Sequence, residues 1–301
     1  MSGPSSAWRR REERTAWFFL APALAVLTLF FLLPILAAWL LSFTDFDLYA
    51  LAHTENARLI GLGNYQRLAH DPTFWQALGN TFTFVLLGGP ATIALSLVTA
   101  VLLNSRLTRG KELLRTIYFA PVVTTVVAVA AVWRYLYHPR FGLINYLLSF
   151  LGIAPLDWLQ DPRWAMPALV LMAIWKNFGY NMVIFLAGLQ NIPVTLYEAA
   201  RLDGAGPLAQ LRHITLPMLR PTLVFVTIIT TIGYFQLFAE PYVMTNLGDP
   251  LNRTLSIVLL MYKEGYRWWN LGYAAAISFV LFLILLAASI LQSRLRTKEP
   301  R

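Results

Sequence analysis

The sequence predicts an all-α integral membrane protein with six transmembrane helices and a cytoplasmic helix-turn-helix loop. Three observations predict it. Hydrophobic residues make up 57% of the 301-residue chain and charged residues only 13%, roughly half the charged share of soluble domains. Six stretches are long and apolar enough to approach the ~20 residues needed to cross a bilayer. Between the fourth and fifth lies a segment whose glycines and prolines are spaced for two short helices joined by a tight turn. Mean hydropathy is +0.57, and a soluble domain this apolar would lack the polar surface to stay dissolved. The composition excludes disorder and collagen, and the absence of cysteine excludes a disulfide scaffold, thiol chemistry and Cys-ligated metals. The net charge of +9 reads as cytoplasmic loops of a membrane protein rather than a nucleic-acid footprint.

The predicted spans are residues 16–43, 79–103, 116–133, 164–189, 219–239 and 271–291, flanked by cytoplasmic tails 1–15 and 294–301, with the loop at 190–218. Each must be helical, because an open strand would leave backbone groups unpaired in lipid. Pro22, Pro34, Pro90 and Pro121 lie in or near these spans, where neighbouring helices tolerate kinks. The basic run at Arg9–Arg11 before an apolar segment resembles a signal peptide, but that segment is about 28 residues long rather than 7–15, so it is expected to remain as a first helix. With the N-terminus inside, the inner segments hold fifteen Lys and Arg, including Arg106, Arg109, Lys111, Arg115, Arg201, Arg212, Arg220, Arg296, Lys298 and Arg301, against eight outside. That asymmetry predicts both termini cytoplasmic. Outer aromatics such as Trp75, Trp158, Trp164, Tyr266, Trp268 and Trp269 fit an interfacial belt, with a docking surface for an external protein as the alternative.

In the loop, a helix from about Thr195 to Leu202 is stopped by Gly204 and Gly206, and Pro207 suits the first position of the next. Its leucines and alanines are too apolar to float in water, so one face should pack on the membrane domain while another is free to enter a partner's groove. Glu198-Ala199-Ala200, three residues, Gly204, nine residues, then Ile214-x-Leu216-Pro217 resembles the EAA motif of binding-protein-dependent ABC importer permeases. Asp203-Gly204-Ala205, Trp175-Lys176, Ser42-Phe43-Thr44-Asp45, Asn64-Tyr65 and Asn80-Thr81 are similar to the carbohydrate-uptake branch, the maltose-, lactose- and glycerol-3-phosphate-type permeases. Leu211 departs from that pattern, and Asn246-Leu247-Gly248-Asp249-Pro250 stands where the family often has Thr-x-Gly-Gly-Pro. The resemblance implies that Glu198, Ala199, Ala200, Asp203, Gly204 and Ala205 couple the chain to an ATPase, with Glu198 meeting a basic residue there and Gly204 making the turn. It implies a second permease subunit, an ATPase dimer that uses ATP and Mg, and an extracytoplasmic binding protein, in a bacterial or archaeal cell membrane. Thr195-x-x-Glu198 also fits a capping box, in which Glu198 would only close its own helix N-terminus.

No Gly-x-x-x-x-Gly-Lys-Ser/Thr occurs, so no P-loop of the chain's own is expected. No Asp or Glu lies inside a span, which counts against an ion-coupled secondary transporter. His53, His70, His138 and His213 are scattered, and no catalytic or metal-ligand set is visible. Two polar stripes mark a candidate substrate pathway. Lys176, Asn177, Tyr180 and Asn181 fall within about 140° of a helical wheel, and Gly233, Gln236 and Glu240 within about 60°. A charge at mid-bilayer costs ~2.5–3.5 kcal/mol on insertion scales, so Lys176 should face the bundle or water. Tyr180, Tyr234 and Phe235 are candidates to stack on a sugar. The alternative is that these groups bond other helices. By resemblance the cargo is a sugar or oligosaccharide, with glycerol-3-phosphate or a polyol on the same scaffold left open.

Overall fold

The computed structural model describes residues 6–53, 55, 57–105 and 108–294. Arg106, Arg296, Lys298, Arg301 and most of the tail 294–301 lie outside the described residues. Among the described residues the chain is helical, with one isolated bridge between Thr44 and Leu59 and no strand. The first helix, α1, runs Ser6–Leu27, passes through a wider turn at Thr28–Leu32 and continues as Leu33–Leu41. Pro34 lacks the N–H that would continue the ladder, and the Leu33 N–H reaches back five residues to the Thr28 carbonyl. Helix α2, Pro72–Asn104, starts on Asp71, whose carboxylate accepts from the Thr73 N–H at 2.8 Å, and Pro90 sits inside it without ending it. Helices α3, Lys111–Val123, and α4, Val126–Leu136, follow, then α5, Ala165–Gln190, and α6, Val194–Leu202. Helix α7, Arg220–Phe235, is followed by a short helix Ala239–Met244, and α8, Leu271–Arg294, closes the described chain.

Five of these segments are long and apolar enough to cross a membrane, and the α3–α4 pair makes a sixth if taken together. Here the structure differs from the sequence reading. The stretch 116–133, read as one span, is two helices bent by 100° at Thr124–Thr125. Neither helix alone, at a rise of about 1.5 Å per residue, covers a hydrocarbon core of ~30 Å.

The described chain forms two compact units, one from residues up to 70 with 263–280, the other from 71–262 with the chain from 281 onward. In the first, the Asn64 amide donates to the carbonyls of Ser42 (2.9 Å) and Thr44 (2.8 Å), and the hydroxyls of Ser42 and Tyr65 share a bond of 2.7 Å. The Ser42–Asp45 and Asn64-Tyr65 motifs are thus two halves of one polar clasp. The buried Glu264 is paired with Arg67 at 3.6 Å and accepts from the Asn270 amide at 2.8 Å, so its charge is not left alone.

The second unit is built on α5. In lipid, apolar side chains gain little by meeting each other, and close backbone approach and polar pairs hold helices together. Ser96 on α2 donates to the Phe178 carbonyl on α5 at 2.8 Å, Asn181 on α5 to Thr230 on α7 at 2.8 Å, and the hydroxyls of Thr92 on α2 and Tyr234 on α7 are bonded. At Gly179 a Cβ would run into the Tyr118 carbonyl oxygen of α3, so the α3 and α5 backbones lie in contact there. Asn80-Thr81 holds the loop ahead of Ile257. The Asn80 amide donates to the carbonyls of Asn252 (2.7 Å) and Leu255 (3.0 Å), and the Thr81 hydroxyl accepts from the Ile257 N–H at 3.0 Å.

Candidate functional site

The loop after α5 forms an elbow whose turn is made by backbone chemistry. Helix α6 ends with Asp203 as its cap. Gly204 has φ of +79°, its N–H donates to the Arg201 carbonyl at 3.1 Å, and the Ala205 N–H donates to the Ala200 carbonyl at 2.8 Å. This paired closure of the last helical carbonyls needs a residue in the left-handed region, which glycine enters without cost. Pro207 then opens a short helix, Pro207–Gln210, that runs through a wider turn at Leu211–Thr215 into Leu216–Met218. The two arms are tied by the Gln210 amide donating to the Ala205 carbonyl (2.8 Å) and by the hydroxyls of Tyr197 and Thr215 (2.9 Å).

One face of the elbow packs. Tyr197 and Ile214 lie against a core that includes Leu103, Phe185, Leu189 and Leu219. The other face is open. Leu202 is 90% exposed and Leu208 78%, and Glu198, Ala199 and Asp203 are exposed beside them. The capping-box reading of Glu198 does not hold. Helix α6 starts one residue earlier than expected, at Val194, and its cap is Pro193, which has no N–H for a glutamate side chain to close on. Glu198 lies in the middle of α6, away from its end.

The two polar stripes meet. Lys176, Asn177, Tyr180, Asn181, Tyr234 and Gln236 line one cavity of about 410 Å³ between α5, α7 and the start of α4. Their tasks divide. The Asn181 amide is engaged by Thr230, the Tyr234 hydroxyl by Thr92, and the Asn177 amide by the Ala173 carbonyl at 2.9 Å. Asn181 and Tyr234 fit the helix-bonding alternative, whereas the Asn177 bond folds back onto α5 itself. Tyr234 and Phe235 are buried among helices, so neither offers a face for stacking, whereas Tyr180 is 49% exposed and does. Gln236 is exposed at the end of α7, where the helix breaks before Ala239.

The cavity also contains residues outside the predicted set. Glu240 lines it from the first turn of the Ala239–Met244 helix. Its place in the span-five stripe was legible, but its position at the outer end of that span kept it off the site. Val126 reaches the cavity because α3 and α4 are broken just before it, and no local signal in the sequence announces that. Lys176 donates to the carbonyls of Pro121 (3.2 Å) and Thr124 (3.0 Å) across that break. Among the described residues there is no cluster of His, Asp and Glu able to hold a metal ion.

Helices long and apolar enough to span a membrane, a polar cavity among them and a two-armed elbow on the surface are the architecture expected of a transport permease. Residues 92–298 match the model of the binding-protein-dependent transport system inner membrane component, and the chain belongs to that family. It is 38% identical over 291 residues to the lactose transport system permease protein LacF of Rhizobium radiobacter, covering 95% of each chain. It is 34% identical over 294 residues to the arabinooligosaccharides transport system permease protein AraP of Bacillus subtilis, covering 96% of this chain and 92% of that one. Among solved structures, a bacterial ABC transporter that imports the acidic polysaccharide alginate shares the fold, with a TM-score of 0.82 at 22% identity over 98% of this chain and 100% of that one.

Proposed function

We propose that this chain is a membrane-spanning permease subunit of an ATP-driven importer for a sugar or oligosaccharide. The observation that carries the reading is the elbow. Its glycine-closed turn presents Leu202 and Leu208, with the carboxylates of Glu198 and Asp203 exposed beside them, away from the packed core. Such a tip suits a groove in a separate ATPase, with Glu198 meeting a basic group and the leucines filling the cleft. The chain carries no P-loop, so ATP and Mg are assigned to that partner and none to this chain. A second permease subunit completes the pathway, and an extracytoplasmic binding protein delivers the cargo. The excess of Lys and Arg on the elbow's side supports a cytoplasmic position for both termini. The sugar assignment draws support from the lactose and arabinooligosaccharide permeases among its relatives. In the cavity, Tyr180 offers an aromatic face, and Gln236 and Glu240 offer hydrogen-bonding groups for hydroxyls.

Reconstitution into vesicles tests this. With partner permease, ATPase and binding protein, uptake of the binding protein's sugar is expected only with ATP inside the compartment that holds the ATPase. Uptake by this chain alone under a proton or sodium gradient would instead establish a secondary carrier.

A further inference from the structure

The break between α3 and α4 sits inside a stretch apolar enough for lipid, where water cannot satisfy loose backbone groups. Three of the groups beside it have partners of their own. The Thr124 hydroxyl donates back to the Pro121 carbonyl at 2.7 Å, and the Thr125 hydroxyl accepts from the Ala128 N–H that opens α4 at 3.4 Å. The Lys176 ammonium, from α5, donates to the Pro121 and Thr124 carbonyls together, at 3.2 and 3.0 Å. It stands at the C-terminal end of α3, where the helix dipole favours a cation. One turn further along α5, Gly179 admits the backbone of Tyr118 and Phe119, where a Cβ would collide. Within four residues α5 therefore presents to α3 both a cation for its end and a gap for its side.

We propose that Lys176 is a positioning residue of the translocation cavity. Its ammonium holds the bend between α3 and α4, which sets Val126 on the cavity wall, and its part in transport is played through that bend rather than as a ligand of the sugar. The inference builds on the permease reading for what the cavity is for, but the bend itself can be measured without transport.

The chain has no cysteine, so spin labels can be placed at Leu113→Cys and Tyr135→Cys, both well exposed on the outer ends of α3 and α4. In the full chain in nanodiscs the parent is expected to give one narrow inter-label distance. At about 1.5 Å per residue, straightening the pair would lengthen it by about 10 Å. Lys176→Met should lengthen or broaden the distribution, and Lys176→Arg, which keeps charged N–H donors, should restore it. In the assembled importer Lys176→Met should lower maximal uptake with the half-saturating concentration of loaded binding protein unchanged, and Arg should recover most of it. An unchanged distance in Lys176→Met overturns the proposal, and so does a weakened half-saturation that Arg does not rescue. Should the Met variant be degraded before labelling, Lys176→Gln, a shorter neutral donor, must widen the distribution where Arg does not, or the proposal fails. Absence of ATP-driven sugar uptake by the parent would remove the permease reading and leave the label distances to decide the role of Lys176.

Discussion

Replacing Gly204 isolates the cost of the elbow's turn. At φ of +79° any L-residue is strained, yet a Cβ built there meets nothing within 4 Å. The penalty is therefore backbone strain alone, about 1–2 kcal/mol for alanine in the left-handed region, and larger for a β-branched residue such as valine. Asparagine enters that region more readily and is the usual second choice at this helix-end position. The two closing bonds, from Gly204 N–H to Arg201 and from Ala205 N–H to Ala200, exist only while the residue stays left-handed. If the docked elbow needs that turn, Gly204→Ala should weaken binding of the ATPase subunit roughly 5–30-fold, the ratio equivalent to 1–2 kcal/mol. Gly204→Val should weaken it further, and Gly204→Asn should stay within a few-fold of the parent. Titrating purified ATPase onto the permease in nanodiscs reads the ranking, and sugar uptake should follow it. Equal affinity for the alanine, valine and parent proteins would refute the reasoning, as would an asparagine variant no better than valine.

Two further outcomes follow from the elbow and from the charge asymmetry. Because Pro193 leaves no N–H for a capping box, Glu198→Gln should behave like Glu198→Ala. Both should lose roughly tenfold or more of binding-protein-stimulated ATP hydrolysis, as expected for a charged contact worth about 1.5–3 kcal/mol, with chain stability within about 0.5 kcal/mol of the parent; full activity of the Gln variant would exclude the charge contact. For orientation, Ser105→Cys, just past the end of α2, should be shielded from an impermeant thiol reagent in intact cells and react after permeabilisation. Leu151→Cys, at a site 75% exposed, should react in both, and the reverse pattern would turn the elbow to the outside. Cysteines at Ser2, Thr54 and Thr297 would report on the same point, but those positions lie outside the described residues.

Hydropathy was enough to place most of the membrane helices, because in lipid an apolar run of sufficient length has no alternative to bonding its own backbone. The elbow was legible for a similar local reason. Gly204 and Pro207 carry their conformational preferences wherever they stand, and the structure closes α6 on one and opens the next helix on the other. The stripes on spans four and five were legible as helical faces, and those faces do border one cavity. What each polar group on them does was not legible. Asn181 and Tyr234 are engaged by Thr230 and Thr92, 49 and 142 residues away, while Tyr180 is left exposed, and nothing within a turn of any of them distinguishes the cases. The break in the third stretch shows the limit most clearly. Pro90 sits inside a 33-residue helix that continues past it, and Pro22 lies inside α1, yet the helix holding Pro121 stops two residues later and turns by 100°. Proline alone does not decide between these outcomes. A break in lipid persists only if the freed carbonyls find donors. That of Pro121 finds one nearby in the Thr124 hydroxyl, but it shares with the Thr124 carbonyl an ammonium 55 and 52 residues further along the chain, a pairing that exists only once α5 has packed against α3.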